Sequence, residues 1–561
     1  MTRSLLVLAA LLLALCLDSC QPGKTDDEKL HEFVHNHVVV VEPLMKAQNL
    51  ADWNATATGE KKYYDESAAQ DFALRKIRSN RNYFLFLKEI KVRGNIKDPL
   101  LQRELVLVYN NFLKNQVDTT LLRKISEQQS AIALKFNTFR GTVDGKQLSD
   151  NEIRDLLSNE RNMARRQKAW EASKQIAVPV APMLIELVKL RNEAARQAGF
   201  ENYYVMMLAA DEQSETDILR VFDELKDLTD KQYARMKEAL DASVAKKFGI
   251  RPKELKPWHY ADPFFQEAPS AGAVNLDAFI KGKDVVEIAR RYYEGIGLPV
   301  DAILKNSDLY PREGKYQHAY ETDIDRKGDI RTMCNVADDI YWTGTVLHEL
   351  GHGVYSKNID STLPFLLRVE THAFMTEAIA ILMERQAKNA DWLSVMVGVP
   401  DNQRAAIREE GSVTLKNESL IFSRWSQVMM RFERGMYRDP DQDLNKLWWD
   451  LVEEHQLIRR PPGRNAPDWA AKIHIAQYPC YYHNYMLGQL AASQILGALG
   501  RTVAGKTKTE ELSFAGNPGV GTMLKEKIFR PGASLYWDDL LQQATGERLT
   551  AKYFAEEFCG L

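Results

Sequence analysis

TDILRVFDELKDLTDKQYARMKEALDASVAKKFG, residues 216–249, reads as one long amphipathic helix and sets the fold class. Ile218, Phe222 and Leu225 recur at four- and three-residue steps, the period of a helix with one buried face. Gly249 stands where such a helix ends. The pattern returns in APMLIELVKLRNEAARQAGF (181–200), which stops at Gly199. It also predicts a single helix over Ser149 to Lys168, opening on a Ser-Asp cap. Similar helices are expected over 70–135, 376–460 and 485–500. Period-two alternation is scarce; the best strand candidate is KYQHAYETDI (315–324), and no strand–helix–strand rhythm is visible. These readings make the fold mainly α with a small β-sheet.

The chain has 561 residues, 45% of them hydrophobic, enough for a large buried core. No Pro/Gly/Ser-rich linker follows residue 25 or so, so residues 26–561 are expected to form a single unit. A formal net charge of −3 without a long basic run gives no reason to expect nucleic acid as a partner. At the N-terminus, Arg3 precedes SLLVLAALLLALCL (4–17), an apolar run too short to span a membrane and placed as a targeting signal. It ends in Leu17-Asp18-Ser19-Cys20, which resembles a bacterial lipoprotein signal with Cys20 as the lipidated residue. Asp18 is unusual there, and plain secretion with cleavage nearby is the alternative. Residues 1–20 are thus expected to be a signal segment on an exported protein, periplasmic or anchored to the outer membrane by lipid. The other cysteines, Cys334, Cys480 and Cys559, are odd in number and far apart, so no disulfide framework is implied.

TVLHELGHGVY (345–355) carries the chemistry. His348 and His352 are four apart, so on a helix both imidazoles leave one face about a turn from each other. That separation suits two ligands of one tetrahedral zinc, and Glu349 beside the first is placed to act as general base on water. A third ligand is needed. The following helix, THAFMTEAIAILMERQA, offers Glu377 and Glu384, with Glu370 just before it. Spacing alone does not choose among them.

HELGH followed by LPFLLR and a Glu-Ala-Ile helix resembles the angiotensin-converting enzyme family of zinc dipeptidyl carboxypeptidases. ADWNATATGE, KLRNEAARQAGFENYY and PPGRN…AKIHI…PCYYHNY extend the resemblance, in order, over most of the chain. It implies two helical lobes enclosing a deep central channel with the zinc at its base. It also implies one Zn2+ held by His348, His352 and Glu377, with Glu349 as the base. By the same resemblance His474 and Tyr485 donate to the oxyanion, and Lys472 and Tyr482 hold the substrate's C-terminal carboxylate. His318 and Ala319 would lie on the strand that pairs with an extended oligopeptide.

The chain also departs from the family pattern. The family's glutamine in the carboxylate clamp falls near WHYADP, where Tyr260 or His259 stands instead. The acidic residue expected one turn after the third ligand is Ile381, so another group must orient the zinc histidines. The two arginines of chloride-activated members correspond to Glu453 and Asn484, so chloride dependence is not expected. The expected function is release of C-terminal dipeptides. The alternatives are an endo-acting oligopeptidase of thimet type, a helical metallocarboxypeptidase, and, in another class, a peptide-binding lipoprotein without catalysis. A binder has no need of a general base.

Overall fold

Glu215–Phe248 forms one uninterrupted helix: the Ser214 side chain accepts the Asp217 N–H at its start, and Gly249 closes it at φ 66. A computed structural model of the chain describes residues 24–268, 274–505 and 512–560. Residues 1–20, read above as a signal segment with Cys20, lie outside the described residues. Helices dominate, and the strands form two antiparallel pairs. β1 (Gly141–Val143) pairs with β2 (Lys146–Leu148), and β3 (Tyr320–Asp323) pairs with β4 (Ile330–Met333). No helix among the described residues is long and apolar enough to cross a membrane.

Eight helices matter below: α1 (Asp26–Thr58), α2 (Arg81–Arg93), α3 (Pro99–Leu113), α4 (Ile340–Lys357), α5 (Ala373–Gln386), α6 (Asp401–Arg438), α7 (Ile473–Gln477) and α8 (His483–Leu499). Leu30 and Val34 of α1 pack with Phe84 and Leu87 of α2 and Leu105 and Phe112 of α3 in a small core of their own. The main core runs from Leu121 to Phe558 and contains the apolar faces of α4, α5 and α8. Burying a leucine or phenylalanine side chain contributes roughly 1.5–3 kcal/mol, so this core supplies the rigid frame on which the polar site is mounted.

Two sequence expectations need correction. The helix expected over Ser149 to Lys168 is two helices, Asp150–Asn159 and Met163–Lys174. Glu160 turns the chain by accepting the N–H groups of Arg161 and Asn162, and Asn162 then caps the second helix through the Arg165 N–H. The strand expected over 315–324 is confined to Tyr320–Asp323, because β4 offers partners only from Ile330 to Met333. The β1–β2 hairpin was readable in its Asp144-Gly145 turn, which takes the two positive φ values (50 and 79) that such a turn demands.

Candidate functional site

Two close approaches set the site's geometry. A Cβ added to Gly351, the glycine of HELGH, would lie 2.9 Å from Ala380 Cα, so α4 and α5 touch backbone to backbone. A Cβ on Gly488 would meet Glu377 Cβ and Phe374 O at 3.3 Å, which draws α8 onto the same stretch of α5. Gly351→Ala is therefore expected to push α5 outward. The overpacking costs about 1–3 kcal/mol, more than the roughly 1 kcal/mol alanine gains in helix propensity. A lower denaturation midpoint together with weaker metal retention checks this; an unchanged midpoint would refute it.

This packing brings His348, His352 and Glu377 together, with one ligand atom of each within 4.8 Å of the others. The two Nε2 atoms are 3.3 Å apart, and His348 Nε2 lies 3.6 Å from Glu377 Oε2. The opposite ring nitrogens are held: His348 Nδ1 by Glu384 Oε2 at 3.0 Å, and His352 Nδ1 by Thr376 Oγ1 at 2.7 Å. Both rings thus aim Nε2 into one point, and Glu384 and Thr376 are the orienting groups that Ile381 does not provide. Burial opposes charge on His348, yet Glu384, Glu349 and Glu377 outweigh it and lift the imidazole to about 9. The pocket therefore stabilises positive charge. Two imidazoles and a carboxylate, convergent and short of positive charge, fit a divalent zinc-type metal.

Glu370 is not part of this set; its Oε1 accepts from Ser356 Oγ at 2.7 Å. His348 and Glu377 are surrounded by protein mass but keep 20% and 25% of their side-chain surface open, as groups lining an interior recess do. Glu349 is buried beside them, and burial lifts its carboxyl to about 7, with His348 pulling it back. A carboxyl poised there exchanges protons readily near neutral pH.

Tyr485 and Gly488 follow one another on the face of α8 that meets α5, with Tyr481 two residues before the helix, and burial, then Glu377, raises both tyrosines above their usual range. His474 on α7 lies 6.3 Å from Tyr485, ring to ring. Burial, then the Lys472 ammonium, lower its imidazole to about 4, so it is neutral. Its Nδ1 is buried without a partner among the described residues.

Lys472 is buried, lies 5.7 Å from the Tyr482 ring, and donates to Gln266 Oε1 at 2.5 Å. Tyr482 accepts the indole N–H of Trp425 on α6 at 2.7 Å, which leaves its own O–H to donate. The glutamine that reaches Lys472 is Gln266, three residues beyond WHYADP, and neither Tyr260 nor His259 makes that contact. Tyr260 is bound to Asp241 and Lys237 at 2.7 and 2.8 Å, and His259 Nδ1 to the Lys256 N–H. Sequence spacing missed Gln266 because Phe265 adopts φ 52, a turn no residue type advertised. Such a backbone persists only where its surroundings over-determine it. Here Gln456 holds the carbonyls of Phe264 and Phe265, and Lys174 and Trp170 both donate to Pro263 O.

His318 is exposed and Ala319 partly so, just ahead of β3 rather than on it. β3 and β4 pack against α4. No hydrogen bond among the described residues joins His318 or Ala319 to the ligand set. Glu453 accepts the Arg460 N–H, and Asn484 Oδ1 accepts from Gln213 at 2.7 Å, so neither presents a cation.

A peptidase family model described as angiotensin-converting enzyme matches residues 24–559. The chain is 23% identical over 524 residues to the angiotensin-converting enzyme of Rattus norvegicus, covering 88% of the chain and 38% of the relative. Against that of Mesocricetus auratus it is 23% identical over 439 residues, 72% of the chain and 33% of the relative. The chain spans about a third of the length of these relatives.

Proposed function

The chain belongs to the angiotensin-converting enzyme family, and from that premise we propose that it is a zinc metallopeptidase releasing dipeptides from the C-termini of oligopeptides. The observation that carries this reading is the pairing of two groups. The His348–His352–Glu377 donor set has Glu349 at its edge, and the His474–Tyr482–Tyr485 cluster of rings links it to the Lys472–Gln266 anion clamp.

His348, His352 and Glu377 would hold the zinc, which would supply Lewis acidity to a carbonyl and to water. Glu349 accepts the proton of the attacking water and returns it to the leaving amine. Tyr485 Oη–H and His474 N–H donate to the oxygen on which negative charge grows, and a neutral imidazole and phenol serve this best where water is scarce. Lys472 meets the terminal carboxylate as a charge, Tyr482 as an O–H donor, and Gln266 orients the ammonium. The backbone at His318 and Ala319 pairs with the peptide.

The test is product analysis with free-acid and amidated versions of one peptide on the zinc-loaded protein. A charge-assisted hydrogen bond is worth about 1.5–3 kcal/mol, so free acids are expected to be preferred about ten- to a hundredfold, with cleavage two residues from the C-terminus. Burial lowers Lys472 to about 8, Asp262 pulling it back. The protonated form binds the carboxylate, so the preference is expected below pH 8 and lost as pH rises through it. Lys472→Ala should erase it through KM. Internal cleavage of the amidated peptide at the same rate would refute the reading.

Chloride should act only by general screening, because Glu453 and Asn484 stand where cations would be needed. Export, with a lipid on Cys20 as the membrane tether, remains the proposal for residues 1–20.

A further inference from the structure

Arg191, on the helix Ala177–Gln197, is 1% exposed, yet its guanidinium is nearly bare of partners. Nη1 donates to Tyr437 Oη at 3.0 Å. Nε and Nη2 are buried and meet no acceptor among the described residues, and Arg191 forms no ion pair with any of them. These two nitrogens share one edge of the planar fork, so their N–H bonds point the same way, side by side. The corner around them is fixed. The Tyr203 ring lies 5.5 Å from Arg191 Cζ. The adjacent Asn192 donates to Tyr437 O at 2.7 Å and accepts the Tyr203 N–H at 2.9 Å.

The acids and weak acids of this corner do not supply the missing charge. Glu433, one turn before Tyr437 on α6, is buried, and its Oε1 accepts the Cys480 N–H at 2.6 Å. Burial pushes that carboxyl up to about 8, with the Cys480 N–H pulling it back, so near neutral pH it is protonated. Burial likewise raises Tyr203, Tyr437 and Cys480 above their usual ranges, which keeps them neutral. A guanidinium does not give up its proton in a protein, and a buried charge without a counter-charge is costly.

We propose that the Nε–Nη2 edge of Arg191 holds one monovalent anion of halide size, chloride in solution, as that counter-charge. Two parallel N–H donors suit an anion. A monatomic one brings no further polar atoms that would need partners among the surrounding rings. The ion would fasten together the helix of Arg191, α6 through Tyr437 and Glu433, and the turn at Cys480, where φ is 58. That turn stands two residues before Tyr482. The role is structural: no hydrogen bond among the described residues joins Arg191 to the groups assigned to metal or peptide. Well below the unfolding temperature the rate is therefore still expected to follow ionic strength alone.

Two measurements on the full-length, zinc-loaded protein test this. The first is the thermal denaturation midpoint near neutral pH in chloride and in gluconate at equal ionic strength, gluconate being too bulky for so enclosed a site. At about a hundred times its dissociation constant, chloride is expected to raise the midpoint saturably by about 3 °C. Arg191→Met is expected to give equal midpoints in both salts. Arg191→Lys, a point charge without the fork, should need about tenfold more chloride for half the effect. Equal midpoints in the wild type, the result that a water molecule in that place would give, overturn the proposal. An undiminished difference in Arg191→Met overturns it too. The second measurement needs no variant: wild-type crystals grown in bromide are expected to show an anomalous peak at hydrogen-bond distance from both Nε and Nη2, and the absence of a peak there overturns the proposal.

Discussion

Glu349→Gln is expected to keep its metal and lose nearly all turnover. The carboxylate is not one of the three convergent ligands, so removing its charge leaves His348, His352 and Glu377 intact. The loss falls on proton transfer alone, since a carboxamide cannot take a proton from water. General acid–base catalysis is worth about 10²–10⁴-fold, and the fall is expected in kcat rather than in KM. Metal stoichiometry measured beside kcat decides the matter. If metal is lost in proportion to activity, Glu349 shapes the site instead of moving protons.

Glu377→Gln is expected to act the other way, on the metal first. Glu377 is the only carboxylate whose oxygen converges with both Nε2 atoms among the described residues. Removing its charge should weaken zinc binding by more than the roughly 10–100-fold that loss of an outer hydrogen-bond partner costs. Activity should follow occupancy and return in part at high zinc. Glu370→Gln is the control, because that carboxylate is occupied by Ser356 and its loss should leave zinc in place. Full zinc in Glu377→Gln together with zinc loss in Glu370→Gln would assign the third ligand to the wrong residue.

The sequence by itself determined the elements whose cause is local. Helical period and end signals placed the long Glu215–Phe248 helix almost to the residue, because burial of one face and a terminal glycine are properties of neighbouring residues. HELGH likewise placed His348, His352 and Glu349 about one helical turn apart on a single helix. Three carboxylates near the next helix were visible, but spacing could not rank them. Only the approach of α5 to α4 through Gly351, and of α8 to α5 through Gly488, separated Glu377, which converges with the two histidines, from Glu384, which steadies His348, and Glu370, which binds Ser356. Tertiary structure also decided what Lys472 meets. Gln266 reaches Lys472 through a positive-φ turn whose stability comes from Gln456, Lys174 and Trp170, residues distant in sequence. Local periodicity reports what each segment buries, whereas the partner of a polar group is chosen by whichever distant atom packing brings within about 3 Å.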